Sequence, residues 1–173
     1  MKKVNLVFML LLAAFLMNAC DEEEDGLLDF DDGQGYDFKD QVIQGTINGK
    51  DWEFKQGTAG IEESEISIQL SPEEASDPCD VFTRTPDQIV FFTVNAEVGV
   101  YELKFDFDDF EDNQTITMLD RDAGDGGPLN IIATSGAVEI LSVTNTEVTG
   151  RIDARESSSS SINGNFTVQI CQN

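Results

Sequence analysis

Histidine is absent from this 173-residue chain. Without it, a Ser-His-Asp triad, a Cys-His dyad and the usual histidine-bearing catalytic zinc site are excluded. Basic residues are scarce: ten Lys and Arg stand against 34 Asp and Glu, a formal net charge of −24. A phosphate backbone must be neutralised by Lys and Arg, so nucleic acid is not an expected partner. The same charge opposes adsorption to anionic lipid headgroups. No Gly-rich phosphate loop and no dinucleotide fingerprint is present. Tryptophan occurs once, at Trp52. Apolar runs are short: the longest, residues 6–17, is about 12 residues, against the roughly 20 that a spanning helix needs. Acids are so abundant that some carboxylate pair will always lie at a glycosidase-like separation, so such a pair carries no information. The chain is expected not to be an enzyme.

That short run sits at the N-terminus, behind Met1-Lys2-Lys3 and ahead of Met17-Asn18-Ala19-Cys20. A basic start, a short apolar core and a small residue describe a secretory signal. The small residue followed directly by cysteine resembles the lipobox of bacterial lipoproteins. The resemblance implies a signal peptide over residues 1–19 and palmitate-type acylation of Cys20. Two or three acyl chains give a stable anchor where one does not. The membrane is thus an expected partner through covalent lipid on Cys20. Asp21-Glu22-Glu23-Glu24-Asp25 resembles the acidic surface-export signal of Bacteroidota lipoproteins, which implies an outer-membrane lipoprotein displayed at the cell surface. Residues 21–40 hold ten acids and one lysine, too little apolar surface to fold, so residues 20–40 are expected to be a disordered tether.

Three cysteines are an odd number for an exported chain. If Cys20 carries lipid, as the resemblance implies, Cys79 and Cys171 remain, and export to an oxidising compartment makes a disulfide the expectation. The alternative is two buried free thiols.

From Gln41 the pattern turns to β. Asn48-Gly49 lies between residues 42–47 and the alternating Asp51-Trp52-Glu53-Phe54, which predicts a hairpin with a type I′ turn. Trp52 is expected in the core, with a sugar-stacking platform as the alternative. Ile66, Ile68 and Leu70 alternate with polar residues. Residues 88–94 read as a central strand, and further strands are expected over 99–103, 115–119, 130–134, 137–143, 148–155 and 165–171. Residues 71–75 suit one helical turn, since Ser71-Pro72 fits an N-cap and a first-turn proline. Asn163-Gly164 is expected near the last hairpin turn, with residues 157–161, all serine, as a flexible tip. About nine short strands after the tether predict an all-β domain over residues 41–173, an antiparallel β-sandwich or flattened barrel.

Thr46-Ile47-Asn48-Gly49-Lys50-Asp51-Trp52 resembles the opening of small uncharacterised β-sandwich lipoproteins of Bacteroidota. Ser135-Gly136, Thr149-Gly150 and Asn163-Gly164-Asn165-Phe166 are similar to the turns of their C-terminal half. The resemblance covers residues 41–171, implies architecture and carries no activity or site.

Two acidic stretches remain. Asp120-Arg121-Asp122-Ala123-Gly124-Asp125-Gly126-Gly127 spaces carboxylates alternately before glycines, a pattern that suits oxygen ligation of Ca²⁺ by Asp120, Asp122 and Asp125. A solvated turn is the competing and expected reading, and no cofactor is required. In residues 105–112, Phe105 and Phe107 are expected in the core with their acids in water, and a ligand face is the alternative. The function expected is a lipid-anchored cell-envelope binding or structural module for a protein or glycan. The alternatives are a Ca-binding or carbohydrate-binding accessory protein, or a metal-assisted hydrolase using the acidic loops.

Overall fold

Eleven strands make up nearly all the regular structure in the computed structural model, which describes residues 35–79, 86–124 and 126–171. The expected signal peptide, the lipid site at Cys20, the first part of the tether and Asp125 lie outside the described residues. The strands are β1 (Gln44–Ile47), β2 (Lys50–Glu53), β3 (Gln56–Glu62), β4 (Glu65–Ser71), β5 (Gln88–Asn95) and β6 (Gly99–Glu102). They continue as β7 (Ile116–Asp120), β8 (Leu129–Ala133), β9 (Ser135–Val143), β10 (Glu147–Ser157) and β11 (Ser160–Ile170).

The domain is all-β, as expected, but the strands form one curled sheet shaped as a half-barrel, with the order β6-β9-β10-β11-β3-β4-β5-β7-β8. The expectation of a purely antiparallel arrangement is corrected at one strand pair. β11 and β3 run parallel, with Gln169 opposite Thr58 and Ile170 opposite Ala59. The other strand pairings are antiparallel. β10 lies along the whole of one edge of β11, and the opposite edge is divided. β1 takes its beginning, from Gln44 opposite Asn163 to Thr46 opposite Ser161, and β3 takes its end.

Period-2 alternation sets the burial. Ile66, Ile68 and Leu70 of β4 are buried while Glu65 and Ser67 are exposed, and Val90, Phe92 and Val94 continue the apolar face on β5. Ile116 and Met118 of β7, Val138 and Ile140 of β9, Ile152 of β10 and Phe166 and Val168 of β11 complete the concave core. Trp52 is buried there, as expected. Fully burying side chains of this size stabilises the fold by roughly 1.5–3 kcal/mol each. The β1–β2 turn is also as expected: Asn48 and Gly49 have φ of 53° and 72°, both left-handed.

Four local features differ from the sequence expectations or go beyond them. Gln56–Glu62 is a strand, although its glycines and polar residues gave no strand signal. Residues 71–75 form no helical turn. The Ser71 hydroxyl accepts a hydrogen bond from the Glu73 N–H, and the Gln56 side chain bonds both the N–H and the carbonyl of Ala75. The last hairpin turns at Ser158 and Ser159, within the serine run expected as its tip, but Asn163-Gly164 lies inside β11, and Ser160 is buried with its hydroxyl accepting the Asn48 N–H at 3.1 Å. Gly164 sits mid-strand with φ of 138°, and a Cβ there would stand 2.6 Å from the Gln41 carbonyl oxygen. That glycine admits the incoming chain rather than a turn.

The incoming chain is the fourth feature. Residues 35–40, expected to be tether, are tied to the convex face of β10 and β11. The Asp37 N–H donates to Asp153 Oδ2 at 2.9 Å, the Lys39 N–H donates to Asn163 Oδ1 at 2.8 Å, and Asn163 Nδ2 donates back to the Asp37 carbonyl at 2.7 Å. The Arg151 guanidinium lies 4.5 Å from the Phe38 ring centroid. This cover explains why Asp153 is buried on a face that should be wet.

Cys79 and Cys171 form the expected disulfide, with Cα atoms 5.6 Å apart, and join the β4–β5 connection to the end of β11. Among the described residues no helix is long and apolar enough to cross a membrane. Because the bridge closes a span of 92 residues, Cys171→Ser is expected to lower the stability measured by urea unfolding by about 2–5 kcal/mol. The Cys20→Ala chain, denatured without reductant, should show no titratable thiol, and two thiols would refute the bridge.

Candidate functional site

Two polar constellations flank β7. At its C-terminal end, Asp120 is wholly buried, and its carboxylate is satisfied from three directions. Asn48 Nδ2 donates to Oδ2 at 2.9 Å, Lys50 Nζ donates to Oδ1 at 3.1 Å, and the Asp122 N–H donates to Oδ1 at 3.2 Å. Lys50 Nζ also donates to the Asp122 carbonyl at 2.5 Å and lies 3.9 Å from its carboxylate. The left-handed Asn48 and Gly49 turn delivers both β-hairpin partners to Asp120. Next to it, Gln88 Nε2 donates to the Ile47 carbonyl at 2.9 Å.

Asp120 and Asp122 are therefore brought together, but around an ammonium. Lys50 Nζ faces both carboxylates, and Asp125, the third residue of the Ca²⁺ expectation, lies outside the described residues. Among the described residues no group of three or more His, Cys, Asp or Glu is placed to hold a metal ion. Burial is the largest single influence on the Asp120 carboxyl and pushes its pKa upward. The hydrogen bonds from Asn48 and Lys50, the Lys50 charge and the Asp122 N–H together outweigh burial and hold it below the ordinary value.

At the N-terminal end of β7, residues 104–114 form a closed loop. Lys104 and Gln114 pair across its base: the Lys104 N–H donates to the Gln114 carbonyl at 2.8 Å, and the Gln114 N–H donates to the Lys104 carbonyl at 3.1 Å. Lys104 and Asp112 form an ion pair above that base. Asn113 clamps the interior, accepting the Asp106 N–H on Oδ1 at 2.6 Å and donating Nδ2 to the Asp106 carbonyl at 3.0 Å. The Asp108 N–H donates to Asp106 Oδ1 at 2.8 Å, and a single 3-10 turn spans Phe110–Asp112. These bonds make a compact Ω-type loop whose ends meet.

The expectation that Phe105 and Phe107 are core is overturned here. Phe105, Phe107 and Phe110 are 43%, 76% and 66% exposed. They pack on one another edge to face, with centroids 4.8 Å apart for Phe105–Phe107 and 6.2 Å for Phe105–Phe110. The physical reason is the base pair of the loop: once Lys104 pairs with Gln114, the intervening chain stands off the sheet and cannot reach the concave core. The aromatic–acid alternation was visible in sequence, but its direction was not.

Beside the loop lies a cleft of about 440 Å³, lined by Glu65, Asn95, Tyr101, Glu102, Lys104 and Asn113 among others. The Tyr101 hydroxyl reaches the carbonyls of Glu97 at 2.8 Å and Asn95 at 3.2 Å. Burial first, and then the Glu97 carboxylate, raise its pKa, so it is a neutral donor at physiological pH. Gln114 Nε2 donates to the Thr93 carbonyl at 2.8 Å and fixes the floor. The cleft is a polar recess that shares Lys104, Asp112, Asn113 and Gln114 with the closed loop.

No family model matches the chain, and no curated protein or solved structure is significantly similar to it. The site is therefore read from its own residues.

The clasp at Asp120 generates a pH prediction. A carboxyl held below its unfolded value stabilises the fold above that value and loses the contribution as pH falls through the lower folded one. Asp120→Asn is expected to cost about 2 kcal/mol near neutral pH, since hydrogen bonds to a buried charge are lost. The difference from the parent chain should shrink below about pH 4. Urea midpoints across that range decide it; a difference independent of pH would remove the carboxylate from the argument.

Proposed function

We propose that this chain is a non-catalytic binding module of the bacterial cell envelope, anchored at the outer membrane by lipid on Cys20, and that it engages its ligand with residues 104–114 and the adjoining cleft. The observation that carries the reading is the aromatic trio Phe105, Phe107 and Phe110, displayed to solvent by a loop that is closed at its base and hydrogen-bonded within. Large apolar side chains held in water by ordered backbone are a recurrent mark of interaction surfaces. The sheet below supplies a rigid platform, and loops on such platforms are where binding residues concentrate.

The anchoring part of the proposal rests on the order of the first 20 residues, with Ala19 directly before Cys20. An excess of acid over base makes covalent lipid a better anchor for this chain than electrostatic attachment to a bilayer. A hydrolase using the acidic loops finds no support in Asp120 and Asp122, whose cation is Lys50.

Two measurements test the proposal. Cys20→Ala is expected to leave the detergent phase and to lose palmitate labelling; unchanged labelling would refute the anchor. A photo-crosslinking phenylalanine analogue at position 107 of the full chain, in cells, is expected to yield a discrete adduct that is absent when the analogue replaces Glu53 on β2. Equal yields at both positions, or none at either, would refute the loop as a binding surface.

A further inference from the structure

The rim that Phe105, Phe107 and Phe110 form is apolar, but its setting is anionic. The loop sequence interleaves them with Asp106, Asp108, Asp109, Glu111 and Asp112, and its one basic residue, Lys104, is paired with Asp112. Asp106, Asp108 and Asp109 are exposed, and Glu102 adds a further carboxylate from the edge strand β6. Aromatic faces carry negative potential at their centres, so rings and carboxylates here attract the same kind of group.

Resting on the reading of this loop as a binding surface, we infer that its ligand is an arginine-rich peptide segment of a partner protein, seated with guanidinium groups on the Phe107 and Phe110 faces and against the neighbouring carboxylates. Charge complementarity selects this occupant over the others. An anionic bilayer would be repelled by the carboxylates beside the rings. A second copy would bring the same acids face to face. The chain's own residues 21–34 carry eight acids and no Lys or Arg. A neutral glycan would leave those charges without a role. Arginine is favoured over lysine because a planar guanidinium both stacks on a ring and forks onto a carboxylate. The chain already uses this chemistry internally: Arg151 lies over the Phe38 ring while its Nε bonds Glu139.

The test uses the full chain with fluorescein-labelled hexa-arginine and hexa-lysine peptides, followed by anisotropy at physiological ionic strength. Hexa-arginine is expected to bind more tightly than hexa-lysine. Phe107→Ala with Phe110→Ala keeps the charge and should weaken hexa-arginine binding about tenfold while removing its advantage over hexa-lysine. Asp108→Asn with Asp109→Asn should weaken both peptides. A matched charge removal on other strands, Asp51→Asn with Glu53→Gln, should change neither by as much. Equal binding of the two peptides that survives loss of both rings would overturn the inference as bulk attraction to an acidic protein. So would no peptide binding alongside a discrete adduct at position 107, an outcome that leaves the binding-module reading standing. Failure of the crosslink and of the peptides together would overturn both.

Discussion

The divided edge of β11 constrains the rest of the molecule. A strand can be paired along each edge only once, and β11 gives one edge entirely to β10. β1 and β3 must share the other, one at each end. The β1–β2 hairpin is thereby pushed off the main path of the sheet. A two-stranded hairpin has little stability alone, so it has to be held elsewhere. The Asp120 clasp does this: Asn48 and Lys50 from either side of the turn converge on one buried carboxylate, and Gln88 secures the Ile47 carbonyl. Removing Lys50 would leave that charge without its cation, which is the expensive way to break a buried pair, and removing Asn48 would cost one of its hydrogen bonds.

The shortage of base shapes the surface as much as the sheet does. Lys50, Lys55, Lys104, Arg151 and Arg155 are each paired with a carboxylate. The exposed pairs stabilise little, since water screens them and side-chain entropy opposes them. Their consequence is distributional: these five basic side chains are committed to carboxylates, in a chain where acids outnumber bases 34 to ten. Residues 105–112 are where that surplus coincides with apolar surface, which gives this loop a character that neither its charge nor its aromatic content would have alone.

Local signals were legible where local physics decides. Alternation located β4, β-branched and aromatic content located β5, and the Asn48 and Gly49 turn followed from its need for positive φ. Cysteine counting led to the Cys79–Cys171 pair. Other features depended on neighbours far away in the chain. β3 is a strand because β4 and β11 offer it hydrogen bonds on both sides, not because Gln56-Gly57-Thr58-Ala59-Gly60 favours one. The dipeptide Asn163-Gly164 has the composition of a turn, yet its glycine serves the close approach of residues 41–43. Asp120 and Asp122 have the spacing of cation ligands, but the cation comes from Lys50, a separation of 70 residues for Asp120. The outward direction of Phe105 and Phe107 follows from a single bridge between Lys104 and Gln114.

That bridge has an energetic implication. Burying a phenylalanine rather than leaving it in water is worth roughly 1.5–3 kcal/mol. Phe92 and Phe166 collect this term in the core, edge to face at 6.1 Å. Phe107 and Phe110 forgo most of it, and the loop that displays them adds the entropy of an ordered backbone. Nothing in the sheet requires the display: the Lys104–Gln114 pairing would form with polar residues between. Residues 35–41 meanwhile are tied to the convex face of β10 and β11. The carboxylates around the exposed rings have a consequence of their own: they oppose contact with an anionic surface and favour contact with a cationic one.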